Sequence, residues 1–244
     1  MESLDYDEVT AFHYAAFRPA LHQKILAKCL KTGLKPDRGL DIGCGTGQSA
    51  IALAHYCDKV VGIEPSAEMI SRAIAHSGVS YLEHQAEELP FPEEVFDVIT
   101  FAGSWYYAKS QQLLNEVFRV IKPGGTIVIY DFEIALKKVL IALGITPKEI
   151  PELVYDHKVD FSGLENEALE FNTKKHEKII ISFKADQLSH LLLAQKDQYE
   201  MLQELLGSDQ LFEKTRDQLE LLSGTKEIEV PADLYYTVYQ RSVL

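Results

Sequence analysis

Apolar and polar positions along this chain change rhythm near Asp131. From about Gly39 to Asp131, short apolar runs alternate with segments whose apolar residues recur at helical spacing. That alternation marks βαβ units and a parallel sheet. Strands are expected at Leu40–Ile42, Lys59–Ile63, Val79–Leu82, Phe96–Phe101 and Thr126–Tyr130. Phe96–Phe101 is apolar apart from Asp97 and Thr100, as in a strand buried on both faces. Helices are expected at Gln48–Tyr56, at Ser66–Ala75 with Ser66 as cap, and at Gln111–Ile121, stopped by Pro123-Gly124-Gly125. An amphipathic helix over Pro19–Lys31 precedes the first strand.

After Asp131 the pattern loosens. The stretch from Glu133 to about Thr173 has helical segments, two prolines (Pro147, Pro151) and little strand character. It reads as an insertion on the C-terminal side of the sheet, with 133–176 as a substrate lid, because loops at that edge carry specificity. Lys178–Phe183 is β-branched and predicts a strand, Ala185–Leu206 and Asp209–Leu222 predict helices, and Glu227–Gln240 predicts a last strand. The leucine-rich stretch Leu188–Leu193 reads as core or interface. Seven strands, mostly parallel, in one α/β domain spanning 1–244 is the economical reading.

Charge narrows the partners. The 37 acidic and 24 basic side chains leave a formal net charge of −13. Such a surface gains nothing from counterion release on nucleic acid and is repelled by anionic lipid. A small-molecule substrate is expected, with neither nucleic acid nor membrane as partner, in a monomer or homodimer. The cysteines, Cys29, Cys44 and Cys57, are odd in number and show no zinc spacing. The acidic N-terminus lacks the apolar run of a signal peptide, and no run approaches a membrane span. A reduced, cytoplasmic protein is the expectation, and no metal is implied.

The chemistry concentrates in Gly39-Leu-Asp-Ile-Gly-Cys-Gly-Thr-Gly47. Glycines 43, 45 and 47 between a strand and a helix allow close backbone approach and present N–H groups to a polar or anionic ligand. About twenty residues on, Glu64 closes the second strand, where a carboxylate can accept both hydroxyls of a ribose. Loop, strand, helix and acid together indicate a nucleoside ligand. The G-x-G-x-G spacing, with Gln48 where a dinucleotide fingerprint has glycine, tilts away from NAD.

Leu40-Asp-Ile-Gly-Cys-Gly-Thr-Gly47 closely resembles the first motif of class I S-adenosylmethionine-dependent methyltransferases. The similarity continues through Val61-Gly-Ile-Glu64-Pro-Ser-Ala-Glu-Met69, Ala86-Glu-Glu-Leu-Pro-Phe91, Phe96-Asp-Val-Ile-Thr100 and Glu116-Val-Phe-Arg-Val-Ile-Lys-Pro-Gly-Gly125. These cover roughly residues 36–131 and are of the methyltransferase type 11/25-like kind. More loosely, Tyr14-Ala-Ala-Phe-Arg18-Pro19 and the region after 131 resemble the small-molecule branch that includes trans-aconitate methyltransferase-like proteins.

The resemblance implies a Rossmann-like fold with helices on both sheet faces, and a cofactor site. Gly43, Cys44, Gly45 and Gly47 would meet the methionine part, with Asp41 nearby through water and Cys44 as a small filler. Glu64 would bind the ribose hydroxyls. Pro65 and Met69 would flank the adenine, and Ala86 with Glu87 would approach its exocyclic edge. Relatives often carry Asp where this chain has Gln85. Phe101 and Ala102 would reach the cofactor amino group through backbone. Among Ser104-Trp105-Tyr106-Tyr107, Tyr106 is the foremost candidate to face the methyl group, since aromatic faces stabilise a sulfonium. His13 and Tyr14 are catalytic candidates from an N-terminal segment that closes over the pocket in relatives, and Arg18 could pair with a carboxylate of cofactor or substrate. The implied activity is methyl transfer to a carboxylate, hydroxyl or amine of a small molecule. The alternatives are an NAD-dependent oxidoreductase and a non-catalytic S-adenosylmethionine-binding protein.

Overall fold

The computed structural model describes residues 10, 12–13, 16–30, 35–146, 155–224 and 226–243. Seven strands form one sheet: β1 (Arg38–Ile42), β2 (Lys59–Glu64), β3 (Val79–Glu83), β4 (Phe96–Ala102), β5 (Ile121–Ile134), β6 (Leu169–Phe183) and β7 (Ile228–Arg241). Their order is β3-β2-β1-β4-β5-β7-β6. β1 pairs in parallel with β2 and β4, β2 with β3, and β4 with β5. β7 runs the other way along β5. Arg241 donates to the Ile121 carbonyl at one end, and Ala135 N–H donates to Pro231 at the other.

From β1 the chain winds outward through β2 and β3, then returns to place β4 on the other flank of β1. The carboxyl ends of β1 and β4 therefore meet at a topological switch point, where open α/β sheets bind ligands.

The chain groups into two compact units. One consists of the described residues of Ala20–Glu133, Val154–Glu177 and Leu234–Leu244. The other consists of those of Met1–Pro19, Ile134–Leu153 and Lys178–Asp233, so the segment 133–176 is divided between the two.

The first unit contains α1 (Leu21–Cys29), α2 (Gln48–Ala54), α3 (Ala67–Ser71), α4 (Trp105–Ala108) and α5 (Gln111–Val120). Ser66 caps α3 as expected, accepting from Met69 N–H at 3.2 Å, but the helix ends well before Ala75. α5 starts at a second serine cap, Ser110, and buries Leu113, Leu114, Val117 and Phe118, the spacing of one helical face. Its core joins these to Leu40, Ile42, Phe96, Phe101, Ile127 and Ile129. β5 begins before the Pro-Gly turn. Phe96 pairs with Ile121 and Val98 with Thr126, so Pro123-Gly124-Gly125 bulges out of the ladder, with Gly124 at φ 76°.

The second unit contains α6 (Lys137–Ala142), α7 (Ala185–Leu193), α8 (Lys196–Leu206) and α9 (Leu211–Ser223). Leu188, Leu191, Leu192, Leu202, Leu219 and Val230 form its core, so the leucine-rich stretch is core. Among the described residues, no helix is long and apolar enough to cross a membrane.

Candidate cofactor and acceptor site

The glycine loop leaves β1 at Ile42 and enters α2 at Gln48. Gly43 and Cys44 N–H both donate to the Ile63 carbonyl, at 2.9 and 3.0 Å, binding the loop to the end of β2. Each glycine has its own reason to lack a side chain. A Cβ on Gly43 would stand 2.4 Å from Ser104 Cβ, and one on Gly47 would stand 2.1 Å from the Tyr81 hydroxyl. Among the described residues, Gly45 has no heavy atom within 4 Å of that position, so the loop opens there. Cys44 is buried, and burial with the nearby carboxylates of Asp41 and Glu64 pushes its thiol far above the ordinary range. A thiol held in that form is a poor nucleophile.

Glu64 faces this loop. One carboxylate oxygen accepts from Gly45 N–H and the other from Ser66 N–H, each at 3.1 Å. Behind the loop Asp41 is fully enclosed and accepts from Ser49 Oγ at 2.5 Å and Thr100 Oγ1 at 2.6 Å. That carboxylate ties β1 to α2 and β4. Across the switch point, Ser104 Oγ donates to the Ile42 carbonyl, clamping the end of β4 against the loop.

A second wall comes from the turn after β3. Leu89 N–H donates to Glu116 at 2.8 Å, and Arg119 donates to the Leu89 and Phe91 carbonyls at 2.8 and 2.7 Å. Glu116 and Arg119 pair at 2.7 Å. The segment from Ala86 to Phe91 is thus pinned by one face of α5.

Beyond Gly103 lies a cluster of polar aromatics. The Tyr155 hydroxyl sits 2.8 Å from both the Gly103 carbonyl and Asp131 Oδ2. His157 Nδ1 is 2.7 Å from the same Asp131 oxygen, and its Nε2 lies 4.0 Å from Glu133. The hydrogen bond to Asp131 raises the His157 pKa against partial burial. The Tyr106 ring stands 4.6 Å from that of Tyr155. Gly103, Trp105, Tyr106, Asp131, Tyr155 and His157 enclose a gap of only about 10 Å³.

Residues 40–129 match a family model described as a methyltransferase domain. Those residues form a methyltransferase domain, set in a sheet with the class I Rossmann-like fold.

The matched span opens in β1 and closes in β5, so it holds the glycine loop, Glu64 and the pinned turn. A demethylmenaquinone methyltransferase of Thermus thermophilus is 37% identical over 105 residues, 40% of this chain and 48% of that protein. The uncharacterized methyltransferase YcgJ of Bacillus subtilis is 32% identical over 101 residues, 38% of this chain and 40% of that protein. These matches cover less than half the length of each curated relative. A solved structure of a candidate type II methyltransferase from Anaeromyxobacter dehalogenans has TM-score 0.62 at 17% identity. It covers 93% of this chain and 97% of that one, and that likeness shows the shared fold.

Within the methyltransferase domain the structure brings together Asp41, Gly43, Cys44, Gly45, Gly47 and Glu64. Pro65 is exposed and Met69 half-buried, both just past Glu64. Ala86 is half-buried, while Glu87 is exposed and accepts from Gln112 through its carbonyl. Phe101 is a core side chain paired with Ile129, and Ala102 pairs with Tyr130. Tyr106 is 38% exposed beside Tyr155, whereas Trp105 is enclosed, donating to the Asp160 carbonyl at 2.9 Å.

His13 and Arg18 belong to the other compact unit. There His13 is buried, stacked on Phe212, and its Nδ1 is 2.9 Å from Nδ1 of His190. Burial, with His190 beside it, lowers its pKa to about 4. Tyr14 lies outside the described residues.

The site residues expected from the sequence did not include Asp131 or His157. Asp131 follows an apolar run on β5 as Glu64 follows one on β2, and that parallel was the available signal. His157 carries no local pattern, because its partner lies 26 residues away.

Proposed function

We propose that this protein transfers a methyl group from S-adenosylmethionine to a small organic acceptor. The observation that carries the reading is the open Gly45 between Gly43 and Gly47, with the Glu64 carboxylate on its N–H, at the switch point of the sheet. A glycine-lined space and an oriented carboxylate fit an adenosyl cofactor. In this reading Gly43, Cys44, Gly45 and Gly47 hold the methionine part by backbone, and Asp41 keeps their loop in shape. Glu64 holds the ribose hydroxyls, with lone pairs left after accepting from two N–H groups. Pro65 and Met69 flank the adenine, Ala86 and Glu87 border its edge, and Phe101 and Ala102 offer backbone to the amino group.

Bound there, the cofactor supplies an electrophilic methyl group. The chain's own contribution is alignment, because in-line transfer gains most from holding the reactants in line. Tyr106 and Tyr155 present aromatic faces suited to a sulfonium. An acceptor hydroxyl or amine also needs a group to take its proton, and His157 oriented by Asp131 is built for that. A carboxylate needs none.

Release of S-adenosylhomocysteine in the presence of small acids, phenols and amines tests the proposal. Turnover with one class supports it. Tight binding of the cofactor without turnover on any class would leave a binding protein instead.

A further inference from the structure

A cavity of about 220 Å³ lies on the methyltransferase unit, walled by segment 157–159, by 174–176 of β6 and by 235–237 of β7. At about 30 Å³ per water it holds roughly seven waters, room for a compact functional group. Its composition runs against the rest of the molecule. The chain carries net charge −13, yet among the described residues no acidic side chain lines this cavity, while His157, Lys158, Lys174, Lys175 and His176 do. The Tyr235 ring is stacked by His157 at 5.4 Å and 11° and by His176 at 4.5 Å and 18°. Lys158 Nζ stands 5.8 Å from the centre of the same ring.

The charges around the cavity are partly balanced. Lys174 is held at 2.7 Å by Asp160, and His157 is shared by Asp131 and Glu133, with Asp156 also nearby. Lys175 sits close to Glu177, which Lys28 already holds at 2.7 Å. Lys158 has no carboxylate within ion-pair distance among the described residues. A lysine without a carboxylate partner, in a wall that carries further cations, is an arrangement that recognises an oxyanion.

The cavity also adjoins the proposed transfer site. Ile129, His157 and Val159 wall both it and the small gap beside Gly103, Tyr106 and Asp131.

We propose that this cavity binds an oxyanionic group, carboxylate or phosphate, of the methyl acceptor, with Lys158 as its principal cation. The inference rests on the methyltransferase reading for the word acceptor, and on the cavity alone for the anion.

The test titrates the full chain with benzoate, phenyl phosphate and neutral benzamide at fixed ionic strength. Calorimetry and the fluorescence of Trp105, the single tryptophan, are the readouts. We expect at least one anion to bind ten times more tightly than benzamide, the tighter of the two identifying the oxyanion. Lys158→Gln should weaken that anion at least fivefold, and Lys158→Arg should keep it. Benzamide binding as tightly as the anions, no anion binding, or no effect of Lys158→Gln would overturn the inference. S-adenosylmethionine titrated in parallel separates the two proposals. Cofactor heat without anion discrimination sinks only this one, and anion binding without cofactor heat sinks its acceptor half together with the proposed function.

Discussion

Asp131 Oδ2 lies 2.7 Å from Nδ1 of His157 and 2.8 Å from the Tyr155 hydroxyl, so one carboxylate orients both groups. The hydrogen bond to Asp131 raises the His157 pKa above its ordinary value of 6.5. A raised folded-state pKa contributes stability that is present in full below the unfolded value and is lost as pH rises through the folded one. An NMR titration of the His157 ring should therefore show a midpoint above 6.5 in the native protein. Asp131→Asn should move the midpoint down. An unchanged midpoint would mean that the pair does not form in solution.

Asp41 is held above the ordinary carboxylate range. Burial raises its pKa from 3.8 to about 6, with the Ser49 and Thr100 hydroxyls pulling the other way. Its contribution to stability is thus full below about 3.8 and disappears as pH rises through about 6. A shift of that size corresponds to on the order of 3 kcal/mol. Urea unfolding at pH 4.5 and pH 7 should show a smaller difference for Asp41→Asn than for the native chain. An identical difference in both would contradict the buried strut.

Gly43 and Gly45 should respond differently to a methyl group. Gly43→Ala meets Ser104 Cβ at 2.4 Å in a backbone at φ 73°, so it should lower the melting temperature markedly. Gly45→Ala meets nothing within 4 Å among the described residues and carries only the left-handed penalty, about 1–2 kcal/mol. That variant should fold yet lose cofactor affinity, because its methyl fills the open part of the loop. Equal melting losses with unchanged affinity for Gly45→Ala would remove the loop from the cofactor site.

Arg119 is expected to act on binding without touching the ligand. It holds the Leu89 and Phe91 carbonyls and Glu116 in place, and charge-assisted hydrogen bonds of this kind are worth about 1.5–3 kcal/mol each. Arg119→Ala should destabilise the domain and weaken S-adenosylmethionine several-fold, with calorimetry and thermal melts reading the two effects. Loss of stability alone would mean the 86–91 turn is not part of the site.

The parts of the fold that could be read from sequence are those written in local pattern. β1, β2 and β4 announced themselves as apolar runs, Ser66 as a cap, and Gly43–Gly47 as a turn with open backbone. The start of β6 did not, because Leu169-Glu-Phe-Asn-Thr-Lys-Lys-His-Glu177 is a mostly exposed edge strand rich in charge. The break between α7 and α8 at Ala194-Gln195 lacks glycine or proline, so one helix over Ala185–Leu206 was the natural expectation. In the site, Glu64 was legible because it sits one strand from its loop. The Asp131–Tyr155–His157 cluster was not, since only the tertiary fold closes that distance.

Calorimetric titration of S-adenosylmethionine into the native chain and into Glu64→Ala tests the central claim most directly. Two hydrogen bonds to a charged group amount to about 3 kcal/mol, or roughly 100-fold in affinity. The account predicts clear binding to the native chain and a loss near that size in Glu64→Ala, with NAD giving no heat. Tight NAD binding without S-adenosylmethionine heat would contradict it, and equal affinity in both proteins would take Glu64 out of the site.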